Sequence, residues 1–374
     1  MRLRRVTACA AALLGVAAIA GVHGCATGGV GAQELSAAPI AVLYWTPEEA
    51  RRRKEAAVEE LRGPGPERRG VARAHDLGAL FGATPETSEE AARRFPGHLS
   101  LIDPPSGRIE RVEAAPPGAV PMAWSADHRR LLFASDRIAG SWQLYEFDRP
   151  SGELRPLTHG PLDHPHGDYG PDGRLAYVER NPLAPEREGV YLGDPRRGGS
   201  WLVLARPSVQ GVRWSPRGDM LLLVVSGTAT SGRDRGGRSG APRSQPAPTG
   251  GGWTLYSLTL PDAAARDAEA GRGALRPLGR GRTPDFSRDG DWFVYSAAVG
   301  RGWRLGRMRS IGGGRRTLGA SRRDEHEPAL SPDEALVAYV AADEFGLQRL
   351  FVKRLDGSGE RVLLPDGVVA RPVW

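Results

Sequence analysis

The sequence predicts an all-β fold: a six-bladed β-propeller closed by strands from both chain ends, with a small N-terminal helical insertion. Three observations predict it. A short motif headed by an aromatic or apolar residue recurs at Trp124, Tyr169, Trp214, Phe286, Leu330 and Trp374, with gaps of 45, 45, 72, 44 and 44 residues. A turn and an apolar run of strand length follow every copy but the last. The one long gap contains residues 227–252, a 26-residue stretch of Gly, Ser, Arg, Pro and Thr, and without it the gap returns to 46. A fixed period near 44 residues marks a radial or stacked array, not a single isolated core.

The elements follow in order from the repeat. Trp214-Ser215-Pro216-Arg217-Gly218 is the fullest copy; Tyr169-Gly170-Pro171-Asp172-Gly173, Phe286-Ser287-Arg288-Asp289-Gly290 and Leu330-Ser331-Pro332-Asp333 are variants, and Trp124-Ser125-Ala126-Asp127 has lost Pro and Gly. Pro presets the first turn residue, and Asp-Gly supplies a pair that tolerates the left-handed conformation closing a hairpin. The apolar runs after these turns, at 131–134, 175–178, 221–225, 292–295 and 336–340, read as second strands. Third and fourth strands follow, for example 143–147 and 153–157, joined at Pro150-Ser151-Gly152. Four short antiparallel strands per period make a propeller blade.

Residues 98–113 read as the third and fourth strands of a blade with no beginning, and Pro105-Ser106-Gly107 matches Pro150-Ser151-Gly152. Arg371-Pro372-Val373-Trp374 reads as a first strand, like Pro328-Ala329-Leu330 and Pro284-Asp285-Phe286. Ile40-Ala41-Val42-Leu43-Tyr44-Trp45 is the apolar run that supplies the missing second strand. The propeller then occupies 98–374 with residues 40–45 as a strand of the shared blade, and Pro372 and Trp374 close the ring.

These blocks resemble the repeats of TolB-type six-bladed propellers, whose pattern is Pro-x-Trp-Ser-Pro-Asp-Gly before an apolar strand and whose ring closes on a C-terminal Pro-x-Trp strand. The resemblance covers about residues 98–374. It departs from TolB before the propeller, where TolB has a full α/β domain and this chain has about 65 residues between the export region and His98. The resemblance implies a binding protein of the cell envelope whose partners are other envelope proteins, cell-wall-associated lipoproteins among them.

Residues 1–24 read as a bacterial export leader: Arg2, Arg4 and Arg5 precede an apolar stretch at 6–20. Val22-His23-Gly24-Cys25 resembles a lipobox, which implies a lipidated Cys25, a tether at 25–39 and anchoring in the outer membrane, facing the periplasm. Cleavage after Val30-Gly31-Ala32, giving an unanchored exported protein, is the alternative. The only cysteines are Cys9 and Cys25, so a chain cut at either point has no disulfide. The net charge of +7 lies mostly in the leader and in 227–252, and of 51 basic residues only Lys54 and Lys353 are lysine. That distribution argues against a nucleic-acid partner. Residues 227–252 hold too little apolar surface to offset their ordering entropy and read as a disordered loop.

Antiparallel strands place the loops joining second to third strand on one face. Residues 46–97 and 227–252 are both such loops, three blades apart, so both rise from the same face. Thr46-Pro47-Glu48-Glu49 is a capping box with Pro at the first helical position, opening a charged helix that runs to about Arg62. Its apolar stripe of Ala50, Ala57, Val58 and Leu61 is thin.

One polar cluster has metal-like composition: His159, Asp163, His164, His166 and Asp168, in the loop entering the blade of Tyr169. Asp324, Glu325, His326 and Glu327 precede Leu330 in the same way. The spacing matches no closed zinc pattern, and the two blades lie far apart in the ring. Asp163 and Asp324 are therefore read as turn-holding residues, with His164, His166 and Asp168 as weak metal candidates. No Gly-x-Ser-x-Gly elbow occurs, and Gly312-Gly313-Gly314 reads as a turn between outer strands. The periodic anchors read as core. The sequence thus predicts a monomeric, lipid-anchored, cofactor-free scaffold that binds envelope proteins and has no catalytic residues. A metal-dependent propeller hydrolase or lyase using the three candidates, or a glycan or small-ligand sensor, are the alternatives.

Overall fold

The computed structural model describes residues 29–52, 55, 96–194, 199–226, 252–260, 274–300, 302–344 and 346–374. The leader with Cys25, most of the 46–97 insertion and nearly all of 227–252 lie outside them. The described residues form six four-stranded antiparallel units, two of them joined through one long strand.

From the inside outward, blade 1 is β23 (Val368–Val373), β1 (Ile40–Trp45), β2 (His98–Asp103) and β3 (Arg108–Arg111). Blade 2 is β4 (Val120–Trp124), β5 (Arg130–Ser135), β6 (Gln143–Asp148) and β7 (Glu153–Pro156). Blade 3 is β8 (Asp163–Tyr169), β9 (Leu175–Arg180), β10 (Gly189–Gly193) and β11 (Ser200–Ala205). Blade 4 is β12 (Val209–Trp214), β13 (Met220–Val225), β14 (Thr254–Thr259) and the first half of β15 (Leu275–Phe286). The second half of β15 is the inner strand of blade 5, followed by β16 (Trp292–Val299), β17 (Gly302–Arg309) and β18 (Arg316–Thr317). Blade 6 is β19 (Glu325–Leu330), β20 (Leu336–Ala342), β21 (Gln348–Arg354) and β22 (Arg361–Leu364).

Second strands are continuous apolar runs because each is sandwiched between two neighbouring blades. Leu221, Leu223 and Val225 of β13 pack toward blade 3, while Leu222 and Val224 pack toward blade 5. Adjacent blades share apolar clusters around the whole ring, including blades 6 and 1, where Leu336, Ala338 and Val340 meet Ile40, Val42 and Trp374. β1 pairs with β23 on one side and β2 on the other, Leu43 opposite Ala370 and Leu99. Two indole N–H groups tie the shared blade further: Trp124 Nε1, from blade 2, donates to the Val373 carbonyl at 3.1 Å, and Trp374 Nε1 to the Ala38 carbonyl at 3.0 Å.

The repeated turn is held by its serine. In three copies Ser125, Ser287 and Ser331 donate from Oγ to the Asp two residues on, and accept the N–H that begins the second strand. Gly173, Gly218 and Gly290 take φ of 80°, 80° and 71°; where that glycine is missing, His128 and Glu334 occupy the same left-handed position at 53° and 60°. Thr46 and Glu49 form the reciprocal capping box, Thr46 N–H to the Glu49 carboxylate at 2.8 Å and Glu49 N–H to Thr46 Oγ1 at 3.3 Å. Helix follows from Pro47 through Arg52; its further course, and Ala57, Val58 and Leu61, lie outside the described residues. Ala50 is buried in the cluster containing Trp45.

The segments assigned above to loops entering the blades of Tyr169 and Leu330 are inner strands instead, Asp163–Tyr169 and Glu325–Leu330. Their polar residues hide the strand pattern because an inner strand turns some side chains toward the polar axis of the ring.

Candidate functional site: the axial cavity

Every inner strand carries a bulge in its pairing with the second strand. A bulge adds a residue and re-aims side chains. Here it lies two to five residues before each anchor, and at Thr283, Glu327 and Arg371 the backbone is left-handed, with φ of 48°, 54° and 54°. Left-handed non-glycine residues are costly and gather where the surrounding structure fixes them for a purpose.

These positions line a cavity of about 40 Å³ on the ring axis, walled by Pro121, Met122, Val212, Pro284, Pro328 and Pro372. His166, Thr283, Glu327 and Arg371 give it polar groups. Its volume suits a few waters or the tip of one side chain. Arg213, also part of its lining, donates from Nη1 to the Met122 carbonyl at 2.8 Å and from Nε to Pro284 at 3.2 Å, tying the inner strands of blades 2, 4 and 5 together. Asp168 Oδ1 lies 3.6 Å from Arg213 Nη1.

The weak metal candidates separate. His164 is buried against β6: Nδ1 faces Gln143 Oε1 at 3.0 Å, Nε2 faces Glu179 at 3.3 Å, and the ring meets Tyr177 edge-on. His166 accepts the Val212 N–H at Nδ1, 3.3 Å, which leaves Nε2 as the protonated nitrogen of the neutral ring. Asp168 accepts the Tyr169 N–H on one oxygen and the Trp214 N–H on the other, at 2.9 and 2.7 Å. Among the described residues no group of three His, Cys, Asp or Glu side chains is arranged to hold a metal ion. His166 and Glu327, although from opposite blades, do line the same cavity, because inner strands meet at the axis.

Asp163 and Asp324 act alike: each accepts the N–H of a tryptophan 21 residues earlier, Trp142 and Trp303, at 2.8 Å. Sequence reading missed Asp168 and Asp285 as another repeated pair, each accepting the N–H of the next blade's anchor, Trp214 and Leu330. The available signal was an Asp immediately before the anchors Tyr169 and Phe286. The anchors Trp124, Trp214, Leu330 and Trp374 are buried, while Tyr169 and Phe286 are half-buried.

Burial sets the electrostatics. It lifts the Asp168 carboxyl to about 6 against the opposing pull of Arg213, and it raises Asp285 as well. Burial, aided by the charges of Arg371, Arg213 and Arg180, holds His166 well below the ordinary imidazole range. His326, buried and accepting from Arg282 at 2.6 Å, falls to about 3. Arg282 is itself lowered to about 10 by burial and lies 4.2 Å over the Trp303 ring. Glu327 Oε2 accepts the Arg371 N–H at 2.7 Å, whereas Glu327 Oε1 and Arg371 Nε, 3.6 Å apart, have no hydrogen-bond partner among the described residues. Glu327 and Arg371 are thus a buried ion pair at the axis, tied by one hydrogen bond from the Arg371 backbone.

Comparison with known proteins gives the fold. No family model and no curated protein matches the sequence. TolB from Acinetobacter baumannii superposes with a TM-score of 0.55 and 16% identity over 78% of this chain and 64% of that one. A TolB candidate from Agrobacterium tumefaciens gives 0.52 and 19% over 72% of this chain and 89% of that one. A more distant likeness, an oligogalacturonate lyase from Vibrio parahaemolyticus, has a TM-score of 0.44 and 12% identity over 70% and 71% of the two chains. The chain has a TolB-like propeller fold, and it spans less than two thirds of the Acinetobacter protein's length.

Proposed function

We propose that this protein is a non-catalytic scaffold of the bacterial cell envelope, tethered by lipid at Cys25, that binds another envelope protein through the face bearing the 46–97 and 227–252 insertions. The observation that carries the reading is the distribution of exposed apolar side chains. Ile138, Leu183 and Val299 are 53%, 94% and 50% exposed; Ile138 and Leu183 sit in the loops joining second to third strand in blades 2 and 3, and Val299 ends the second strand of blade 5 at the same connection. Those loops rise on one face around the ring axis. Apolar tips around one mouth of the ring are what a protein partner recognises. The TolB resemblance supports the compartment and the partner class, including cell-wall-associated lipoproteins.

The test is photo-crosslinking in intact cells, with the crosslinking residue placed at Leu183, at Val299 or at Arg108 on the outer edge. The same envelope protein should be captured from Leu183 and Val299 and not from Arg108, and Ile138→Asp should weaken capture from Leu183. Capture from Arg108 alone, or turnover of an oligosaccharide by the purified protein that His166→Ala abolishes, would replace this reading with another.

A further inference from the structure

We infer that the opposite face of the propeller carries an arginine groove that seats on the anionic surface of the membrane holding the anchor. The orientation half of this inference rests on the lipid-tether reading; the groove does not.

The chain itself sets which face meets the bilayer. Val30 is buried, and its N–H bonds to the Gly359 carbonyl in the turn joining the last two strands of blade 6. Glu34 takes two hydrogen bonds from Arg354, at 2.7 and 2.8 Å, and Arg361 reaches the Val30 carbonyl. This segment is therefore docked along the face that bears the repeated Ser-Pro-Asp-Gly turns, away from the insertions. Gly29 is four residues after Cys25, a reach of about 14 Å at full extension. A lipid on Cys25 holds that face against the membrane and turns the insertions away from it.

The same face contains a groove of about 750 Å³ between blades 4 and 5. Arg217, Arg307, Arg309 and Arg316 line it, against two carboxylates, Asp219 and Asp291. Asp291 pairs with Arg217. Arg307 and Arg316 stand directly opposite each other in the β17–β18 pairing, an arrangement in which like charges repel. Arg307 is stacked 3.8 Å over the Trp292 ring, which fixes it in that place. A local rule broken on an exposed rim, with the side chain held so that it stays broken, marks a site waiting for an anion. Beside the arginines the turn at 310–314 lifts Ile311 to 60% exposure on three consecutive left-handed glycines, φ 89°, 83° and 63°. An apolar tip flanked by guanidinium groups matches a lipid headgroup layer: phosphate oxygens for the arginines, acyl boundary for the isoleucine. In blade 6 the equivalent turns carry Asp333, Glu334 and Asp356 instead. The headgroup phosphate of a bilayer lipid is the ligand that the groove between blades 4 and 5 fits.

The chain from residue 25 onward with Cys25→Ser, which lacks the leader's basic and apolar stretch and has no lipidation site, tests the groove. Its cosedimentation is measured with vesicles of phosphatidylcholine alone or mixed with phosphatidylglycerol. Binding should require phosphatidylglycerol, weaken as salt is raised, and fall at least about tenfold in Arg309→Glu/Arg316→Glu, with Arg108→Glu unchanged. A probe on Ile311→Cys, in a background without Cys9 and Cys25, should report an apolar environment only on the mixed vesicles. Equal binding by the double variant, equal binding to both vesicles, or binding of soluble inorganic phosphate or heparin without vesicle binding would overturn the groove. Fractionation of cells reads the tether separately: if the unaltered protein is not membrane-bound but the mixed vesicles still bind Cys25→Ser, the groove stands and the anchor-set orientation falls.

Discussion

At the scale of single residues, the inner strands are governed by burial acting on charge. His326 has a folded-state value near 3, far below its unfolded value, so its contribution to stability is present above pH 6.5 and is lost as the pH falls below it. Asp168 is shifted the other way, to about 6: its contribution is present below 3.8 and is lost as the pH rises through 6. Between pH 6 and 4 the two therefore oppose each other, at roughly 1.4 kcal/mol per pH unit for each fully titrating group. His326→Gln should reduce the acid loss of melting temperature, and Asp168→Asn should steepen it; parallel melting curves for both variants across pH 4–7 would show that neither group titrates as the burial implies. Asp163→Ala and Asp324→Ala should each cost about 1–3 kcal/mol in denaturant unfolding, because the half-buried N–H of Trp142 or Trp303 loses its charged acceptor.

At the scale of elements, the shared blade decides whether the ring holds. Trp374 packs among Ile40, Val42 and the blade 6 strands and hydrogen-bonds to Ala38. Burying an indole removes roughly 150–250 Å² from water, worth about 4–6 kcal/mol as an upper figure. Deleting residues 371–374 should take a large part of a typical stability of ~5–15 kcal/mol and lower the melting temperature sharply; an unchanged transition would mean that blades 1 and 6 hold together without it. Trp374→Ala, which leaves the β23 backbone pairing in place, should cost about 3–5 kcal/mol. The repeat in turns and second strands was legible because Pro, Gly and continuous apolar runs each have one local meaning. The inner strands were not, since residues such as His164, His166, Glu325 and Glu327 look like loop until a ring places half of them on its axis.

At the scale of the whole molecule, the proposed roles divide between two faces. One bears the second-to-third-strand connections with their exposed apolar tips; the other bears the docked N-terminal segment and the arginine groove. On the tether reading, Cys25→Ser should move the protein from the membrane to the soluble fraction of cells; a wild-type protein already soluble would remove the anchor from the proposal. Capture of the envelope partner should survive that substitution with lower yield, since the binding face is separate from the anchor.

The sequence alone determined the period, the turn chemistry, the apolar second strands and the pairing of Ile40–Trp45 into a blade with the C-terminal strand. Each of these depends on residues near in the chain or on a pattern that repeats. Only the tertiary structure decided that His166, Thr283, Glu327 and Arg371 meet in one cavity and that Arg307 faces Arg316 across two outer strands. Those groups come from separate blades or separate strands, and no spacing along the chain encodes a distance that ring closure and strand register create.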